Sequence, residues 1–249
     1  MSEIVFGIHP IQEALRHGKT FDRLYISEGR KGKAIAEILT LAKAQRIEVC
    51  FEPWKRLTSR TGGTTSHQGI VGLMTSFTYL ALEDLFSNLP RYDGPAFLVV
   101  LDQIQDPHNL GAILRSAECA GVQGVIIPKR KSAEVNATVR KVSAGATAYI
   151  PVCQVTNLAL TLEELKKHRI WVVGTSDSAQ QPYTATDFTV PVAIVIGNEE
   201  KGMRRRVAEK CDLVVTIPLH GKVSSLNASV SGALLMFEVQ RQRQKGGPT

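Results

Sequence analysis

FLVVLDQIQDPHNLGAILRSAECAGVQGVII, residues Phe97–Ile127, sets the architecture. Phe97–Leu101 is a continuous apolar run of strand length. Leu110, Ile113, Leu114 and Ala117 then recur at helical spacing through Leu110–Ala120, and Val125–Ile127 returns to an apolar run. Pro107 precedes the helix, and Asn109 stands where an N-cap belongs. Arg115 lies off the apolar stripe, one turn after Gly111, whose missing side chain leaves room for a ligand. The same stretch also describes an ordinary capped helix with an Arg115–Glu118 pair on its surface.

The alternation continues toward the C-terminus. Apolar runs at Ile150–Cys153, Ile170–Val173, Val192–Ile196 and Leu213–Ile217 are interleaved with helical patterns at Glu134–Ala144, Leu158–His168, Arg204–Lys210 and Asn227–Gln244. Short apolar runs between helices predict an α/β domain, a mostly parallel sheet covered on both faces. The last helix is apolar nearly all round. Val230, Leu234 and Phe237 form one stripe, and Leu235, Met236 and Val239 lie on other faces. It is expected to bury one side in the core and the other either within the monomer or against a second subunit.

Upstream, residues 1–76 read as a small α/β unit. Its helices are Pro10–His17, closed by Gly18, and Ala34–Arg46; its strands are Phe21–Ser27, Ile47–Phe51 and Gly69–Thr75. Thr58–Gly69, TSRTGGTTSHQG, reads as a mobile loop carrying Arg60 and His67. Residues 77–94 read as a linker with a short helix over Leu82–Leu89. The larger α/β domain is expected over 95–249.

The chain has 249 residues and a formal net charge of +7. The ends are basic, +4 over residues 1–75 and +6 over 201–249, around a centre of −3. That distribution suits a polyanion held at the periphery, and also simple solubility. Cys50, Cys119, Cys153 and Cys211 are scattered without a CxxC pair, so neither a zinc site nor a disulfide framework is expected. Ala96–Leu101, the longest apolar run, is too short for a bilayer, and Met-Ser-Glu-Ile does not open a secretory signal. A cytoplasmic protein without metal or membrane attachment is expected.

In an open parallel sheet, ligands bind where strands end. Besides Leu101–Gly121, two strand ends are rich in polar groups and glycine. AIVIGNEEKGM, Ala193–Met203, sets Asn198, Glu199 and Glu200 between Gly197 and Gly202. IPLHGKVSSLNASVSGALLMFEV, Ile217–Val239, leads through Ser224 and Ser225 to a helix start near Asn227, where backbone N–H groups favour a polar ligand. Each is equally compatible with a polar turn or a capped helix.

Together the three segments resemble the SpoU/TrmH (SPOUT) family of RNA 2′-O-ribose methyltransferases. The resemblance is carried by Asn109-Leu-Gly-Ala-Ile-Leu-Arg115, Gly197-Asn-Glu-Glu-Lys-Gly202, and Ile217-Pro-Leu through Ser225-Leu-Asn227, over about residues 95–249. His67-Gln-Gly-Ile70 and the N-terminal unit are similar to the subfamily that methylates a guanosine ribose in 23S rRNA. That subfamily's N-terminal domain resembles kink-turn-binding ribosomal proteins. The resemblance implies a trefoil knot, a homodimer through the C-terminal domain and S-adenosylmethionine as cofactor. It implies Gly197, Ile217 and Leu226 as cofactor contacts, with Leu219 and Thr175 beside them. Arg115, Asn109, Glu199, Asn227 and Ser225 are the implied catalytic set. The family assigns Arg115 as general base, but a guanidinium stays protonated in proteins. A phosphate clamp that stabilises a developing alkoxide suits it better, with Glu199 pairing to Arg115 or holding the motif loops together.

RNA contacts are expected at Arg30, Lys31, Lys33 and Arg60, at Lys129-Arg130-Lys131, and at Arg204-Arg205-Arg206; each cluster also fits a solvated charged face. Alternatives at this stage are a tRNA methylase, an antibiotic-resistance rRNA methylase and an inactive rRNA-binding assembly factor. No GxGxxG follows an early strand, which disfavours a dinucleotide-type methyltransferase. A flavodoxin-like nucleotide binder is disfavoured by the basic ends and the missing phosphate loop.

Overall fold

The computed structural model describes residues 2–17, 21–45, 47–75 and 77–245. The turn expected at Gly18 and the helix end expected at Arg46 lie outside them, as does Ser76. Two compact units result. The first runs to Thr78 and takes in Asn136–Thr138; the second comprises Tyr79–Val135 and the chain from Val139.

The first unit contains β1 (Ser2–Phe6), α1 (Ile8–Arg16), β2 (Phe21–Ser27), α2 (Lys33–Ala44), β3 (Glu48–Glu52), α3 (Trp54–Arg60) and β4 (Ile70–Thr75). The sheet order is β1-β4-β2-β3, with β2 and β3 parallel and the other pairs antiparallel. Thr58–Gly69 is more structured than the sequence indicates. Arg60 ends α3 and donates to both carboxylate oxygens of Glu52, at 2.9 and 2.8 Å. Its guanidinium also lies 3.7 Å from the Tyr25 ring centroid. His67 is fully buried against Trp54. Its Nδ1 accepts the Gly69 N–H at 3.1 Å, so Nε2 carries the proton and faces Thr58 Oγ1 at 3.0 Å. A Gly- and Ser-rich composition concealed these anchors because each acts through a single side chain.

The second unit comprises α4 (Leu82–Asn88), β5 (Phe97–Leu101), α5 (Pro107–Cys119), β6 (Gly124–Pro128), α6 (Ala137–Val142, from Val139 onward), β7 (Val152–Val155) and α7 (Leu158–Lys167). These are followed by β8 (Trp171–Thr175), β9 (Gln181–Pro182), β10 (Val192–Ile196), α8 (Arg205–Ala208), β11 (Leu213–Thr216) and α9 (Ala228–Lys245). Its sheet order is β7-β6-β5-β10-β8-β11-β9, and every paired neighbour is parallel. β5, β6 and β10 are buried along their whole length, which is why they read as unbroken apolar runs. On one face Leu98, Val100, Ala193 and Val195 pack with Leu85 of α4 and Leu158, Leu162 and Leu165 of α7. Leu85 is fully buried, so much of the stretch read as a linker belongs to this core. Alternate strand residues point to the opposite face, where α9 meets β10 and packs along α5. Gly232 allows that approach: a Cβ there would stand 2.7 Å from Ile196 Cδ1.

Helix α9 buries Leu235, Met236 and Val239 completely, while Val230, Leu234 and Phe237 are 47%, 40% and 50% exposed. Its last turn is pinned by Arg243, which donates to the carbonyls of Phe188, Pro95, Ala96 and Val190 at 2.8–3.1 Å. Burial lowers the pKa of that guanidinium from its ordinary value.

Candidate active site

The strand order brings distant loops together at one edge. β5 and β10 are neighbours, β10 pairs with β8, and β8 pairs with β11. The three polar strand ends, after β5, β10 and β11, therefore meet at the carboxyl edge of the sheet.

The loop after β10 is a tight return. Asn198 N–H donates to the Gly202 carbonyl at 3.1 Å, and Gly202 N–H to the Asn198 carbonyl at 2.8 Å. Asn198 Oδ1 accepts the backbone N–H groups of Glu200 and Lys201 at 3.1 and 3.2 Å. Its Nδ2 donates to the Gln103 carbonyl and to Glu199 Oε2, both at 3.3 Å. Gly202 takes φ +62, and Gly197 must be glycine for another reason. A Cβ on Gly197 would stand 2.4 Å from the Gly202 carbonyl carbon and 2.5 Å from Met203 N.

This loop delivers Glu199 into a chain of side-chain hydrogen bonds. Asn109 Nδ2 donates to Glu199 Oε1. An ionised carboxylate only accepts, so the Asn109 amide must turn its nitrogen toward Glu199. Its oxygen then faces away and accepts from Asn227 Nδ2 at 2.9 Å. Asn227 Oδ1 in turn accepts Ser229 N–H at 2.9 Å and Ser229 Oγ–H at 2.6 Å, capping α9. One residue from each strand-end segment thus joins a single network, and the orientation of Glu199 sets that of both asparagines.

Beside the network lies a cavity of about 320 Å³, of a size suited to a small ligand. Gly197, Ile217, Leu226, Leu219 and Thr175, the five expected cofactor contacts, all line it, as do Glu199 and Ser225. Asn109, Arg115 and Asn227 do not. The lining also includes Ser176, Asp177, Ser178, Glu200 and Lys201, which the sequence reading did not single out as ligand contacts. The segment 176–178 follows a strand that read as ordinary core, and only the pairing of β8 with β10 and β11 carries it to the site.

A family model described as SpoU rRNA Methylase matches residues 96–237, over half of the chain. The chain belongs to the SpoU rRNA methylase family. A second family model, described as RNA 2′-O ribose methyltransferase substrate binding, matches residues 4–80. The Bacillus subtilis (strain 168) protein YacO, named as a TrmH family tRNA/rRNA methyltransferase, is 43% identical over 246 residues, 98% of each chain. A Staphylococcus haemolyticus protein of the same description is 41% identical, over 98% of this chain and 97% of its own. The SpoU methyltransferase AviRb from Streptomyces viridochromogenes, solved in complex with AdoMet, superposes with a TM-score of 0.64 at 26% identity. The match covers 98% of this chain and 92% of AviRb.

Several local readings of this SpoU chain change in three dimensions. The cap of α5 is Asp106, whose side chain accepts the His108 N–H at 3.0 Å. With Pro107 in the first turn, Asn109 falls inside the helix and its amide is released for the network. Gly111 is buried, and a Cβ there would stand 2.7 Å from Val142 Cβ, so α6 rather than a ligand fills that space. Glu199 is engaged by two amides and not by Arg115. Arg115 is exposed and makes no ion pair, with Glu118 or otherwise, among the described residues.

The expected RNA contacts fall into two groups. Arg30, Lys31, Lys33, Lys129, Arg130, Lys131 and Arg206 are exposed. Arg60 is held by Glu52, Arg205 pairs with Glu209 at 2.8 Å, and Arg204 is drawn onto Asp102. Charge runs reveal which residues are cationic, not which have acidic partners: Arg205 pairs four residues on, Arg60 eight residues back, and Arg204 with a residue 102 positions away.

Proposed function

We propose that this SpoU protein methylates the ribose 2′-hydroxyl of a guanosine in 23S rRNA, with S-adenosylmethionine as methyl donor. The observation that carries the reading is the Asn227–Asn109–Glu199 network at the lip of the cavity. The cavity's chemistry suits the donor. Ile196, Val215, Ile217 and Leu226 supply apolar walls for a nucleobase, and Asp177 and Glu200 supply carboxylates near a cationic centre. Bound there, S-adenosylmethionine supplies an activated methyl group.

The residues of this chain provide alignment, which can contribute several kcal/mol of a displacement barrier. Gly197, Ile217, Leu226, Leu219 and Thr175 shape the cofactor pocket, and Ser225 closes its edge. Glu199 is a positioning carboxylate: one oxygen accepts the Asn109 amide and the other the Asn198 amide. Asn109 and Asn227 orient the ribose. Arg115, exposed and without an ion-pair partner among the described residues, clamps an RNA phosphate and stabilises charge developing on the 2′-oxygen. The first unit, with Arg30, Lys31 and Lys33, and the loop Lys129–Lys131 hold rRNA phosphates. The exposed stripe Val230, Leu234 and Phe237 forms the homodimer seam through the C-terminal domain.

The decisive assay supplies labelled S-adenosylmethionine with naked 23S rRNA, assembled large subunits and tRNA in separate reactions, then maps the label by nuclease digestion. Label on a 23S guanosine ribose is expected. Label on tRNA alone would overturn the substrate. No transfer to any RNA, with cofactor binding intact, would favour an inactive rRNA-binding assembly factor.

A further inference from the structure

Asp102, the first residue after β5, is fully buried. A carboxylate in that setting is costly unless every lone pair finds a donor. Its Oδ2 accepts the backbone N–H of Arg204 at 2.7 Å; its Oδ1 accepts Arg204 Nε at 2.7 Å and lies 2.7 Å from a second guanidinium nitrogen. Its own N–H donates to the carbonyl of Ile196 at 2.8 Å. Ile196 ends β10 immediately before Gly197, and Arg204 directly follows Met203. One residue therefore holds both ends of the loop that carries Glu199. The neighbouring Gln103, at φ +63, presents its carbonyl to Asn198 within the same loop.

We propose that Asp102 and Arg204 are a positioning pair for the 197–203 loop, and that Arg204 serves the active site rather than the RNA. The pair acts through Glu199. If the loop relaxes, the carboxylate leaves Asn109, the two amides lose their imposed orientation, and the cavity wall at Gly197–Gly202 shifts. An arginine is needed because its fork meets one carboxylate oxygen with two donors while its own backbone N–H meets the other. The inference rests on the methyltransferase reading for its catalytic consequence, but not for its effect on the loop.

The test compares Arg204→Met, Arg204→Lys, Asp102→Asn and the Asp102→Asn/Arg204→Met double variant. Amide hydrogen exchange at residues 198–204 is measured without cofactor. S-adenosylmethionine affinity is measured by calorimetry, and kcat and KM are measured with RNA over a salt series. Arg204→Met is expected to speed exchange in the loop by about tenfold or more, weaken cofactor binding and lower kcat by about 10–100-fold. KM for RNA and the salt slope stay unchanged. Arg204→Lys recovers only part of the loss, because an ammonium cannot present both donors of the fork, and the double variant is no worse than the poorer single one. If Arg204→Met does not fold, Arg204→Lys and Asp102→Asn carry the exchange measurement, and wild-type protection in both refutes the pair. Unchanged exchange, affinity and kcat in Arg204→Met, with raised KM and a salt slope reduced by about one, makes Arg204 an RNA contact and overturns the proposal. Wild-type protein that fails to bind S-adenosylmethionine refutes the functional reading instead, and the cofactor-free exchange data still decide the pair.

Discussion

Gly197→Ala tests the site where its geometry is tightest. The added Cβ would lie 2.4 Å from the Gly202 carbonyl carbon and 2.5 Å from Met203 N, against 3.4 Å for an ordinary contact. Both opposing atoms are backbone, so no rotamer change relieves the overlap, and the loop has to withdraw by about 1 Å. Two hydrogen bonds closing Asn198 on Gly202, and the grip of Asp102 at both loop ends, oppose that withdrawal. Overpacking of this kind costs about 1–3 kcal/mol, and for a protein of this size each kcal/mol is worth about 2–4 °C in melting temperature. The catalytic loss is larger, because a misplacement of about 1 Å can reduce turnover by about 100-fold. Methyl transfer from labelled S-adenosylmethionine at saturating RNA, cofactor calorimetry and scanning calorimetry measure the three effects. A variant that melts, binds cofactor and turns over like wild type would refute the argument, since the close approach of the loop to Gly197 could not then be real.

Three further outcomes follow from the same geometry. Arg243→Met strips four backbone carbonyls of a shared donor and is expected to lower stability by about 2–4 kcal/mol in denaturant unfolding; a loss below about 0.5 kcal/mol would mean that water replaces it fully. Gly111→Ala drives a Cβ into Val142 and is expected to destabilise by about 1–3 kcal/mol without a direct effect on cofactor affinity; weakened binding with unchanged stability would restore Gly111 to the ligand site. Burial lowers the His67 pKa from its ordinary 6.5, so the unfolded chain binds the proton more readily. Stability from this residue is full above about pH 6.5 and declines as pH falls toward the lowered folded value. The unfolding midpoint of the first unit should show that decline, and His67→Asn should remove it; the same slope in both proteins would place the titration elsewhere.

Much of the catalytic half was legible in the sequence because burial leaves a one-dimensional signature. β5, β6 and β10 are covered on both faces and read as apolar runs, and the buried stripe of α5 reads at helical spacing. Asn109, Glu199 and Asn227 stood out because polar residues beside glycine interrupt those runs at strand ends. What the pattern could not convey was adjacency. It placed a cap on Asn109 that belongs to Asp106, and gave Gly111 to a ligand when α6 occupies the space. It also counted Arg204 as a free cation although its partner lies 102 positions away.

The sequence by itself determined that this chain forms a parallel α/β domain with three polar strand ends, since hydrophobic spacing reports which side chains leave water. The tertiary structure alone decided which ends meet, because neighbour order in a sheet depends on crossover connections and packing between distant segments. Only that order joins Asn109, Glu199 and Asn227, and only the burial of Asp102 turns Arg204 from a surface charge into a fastening for the Glu199 loop.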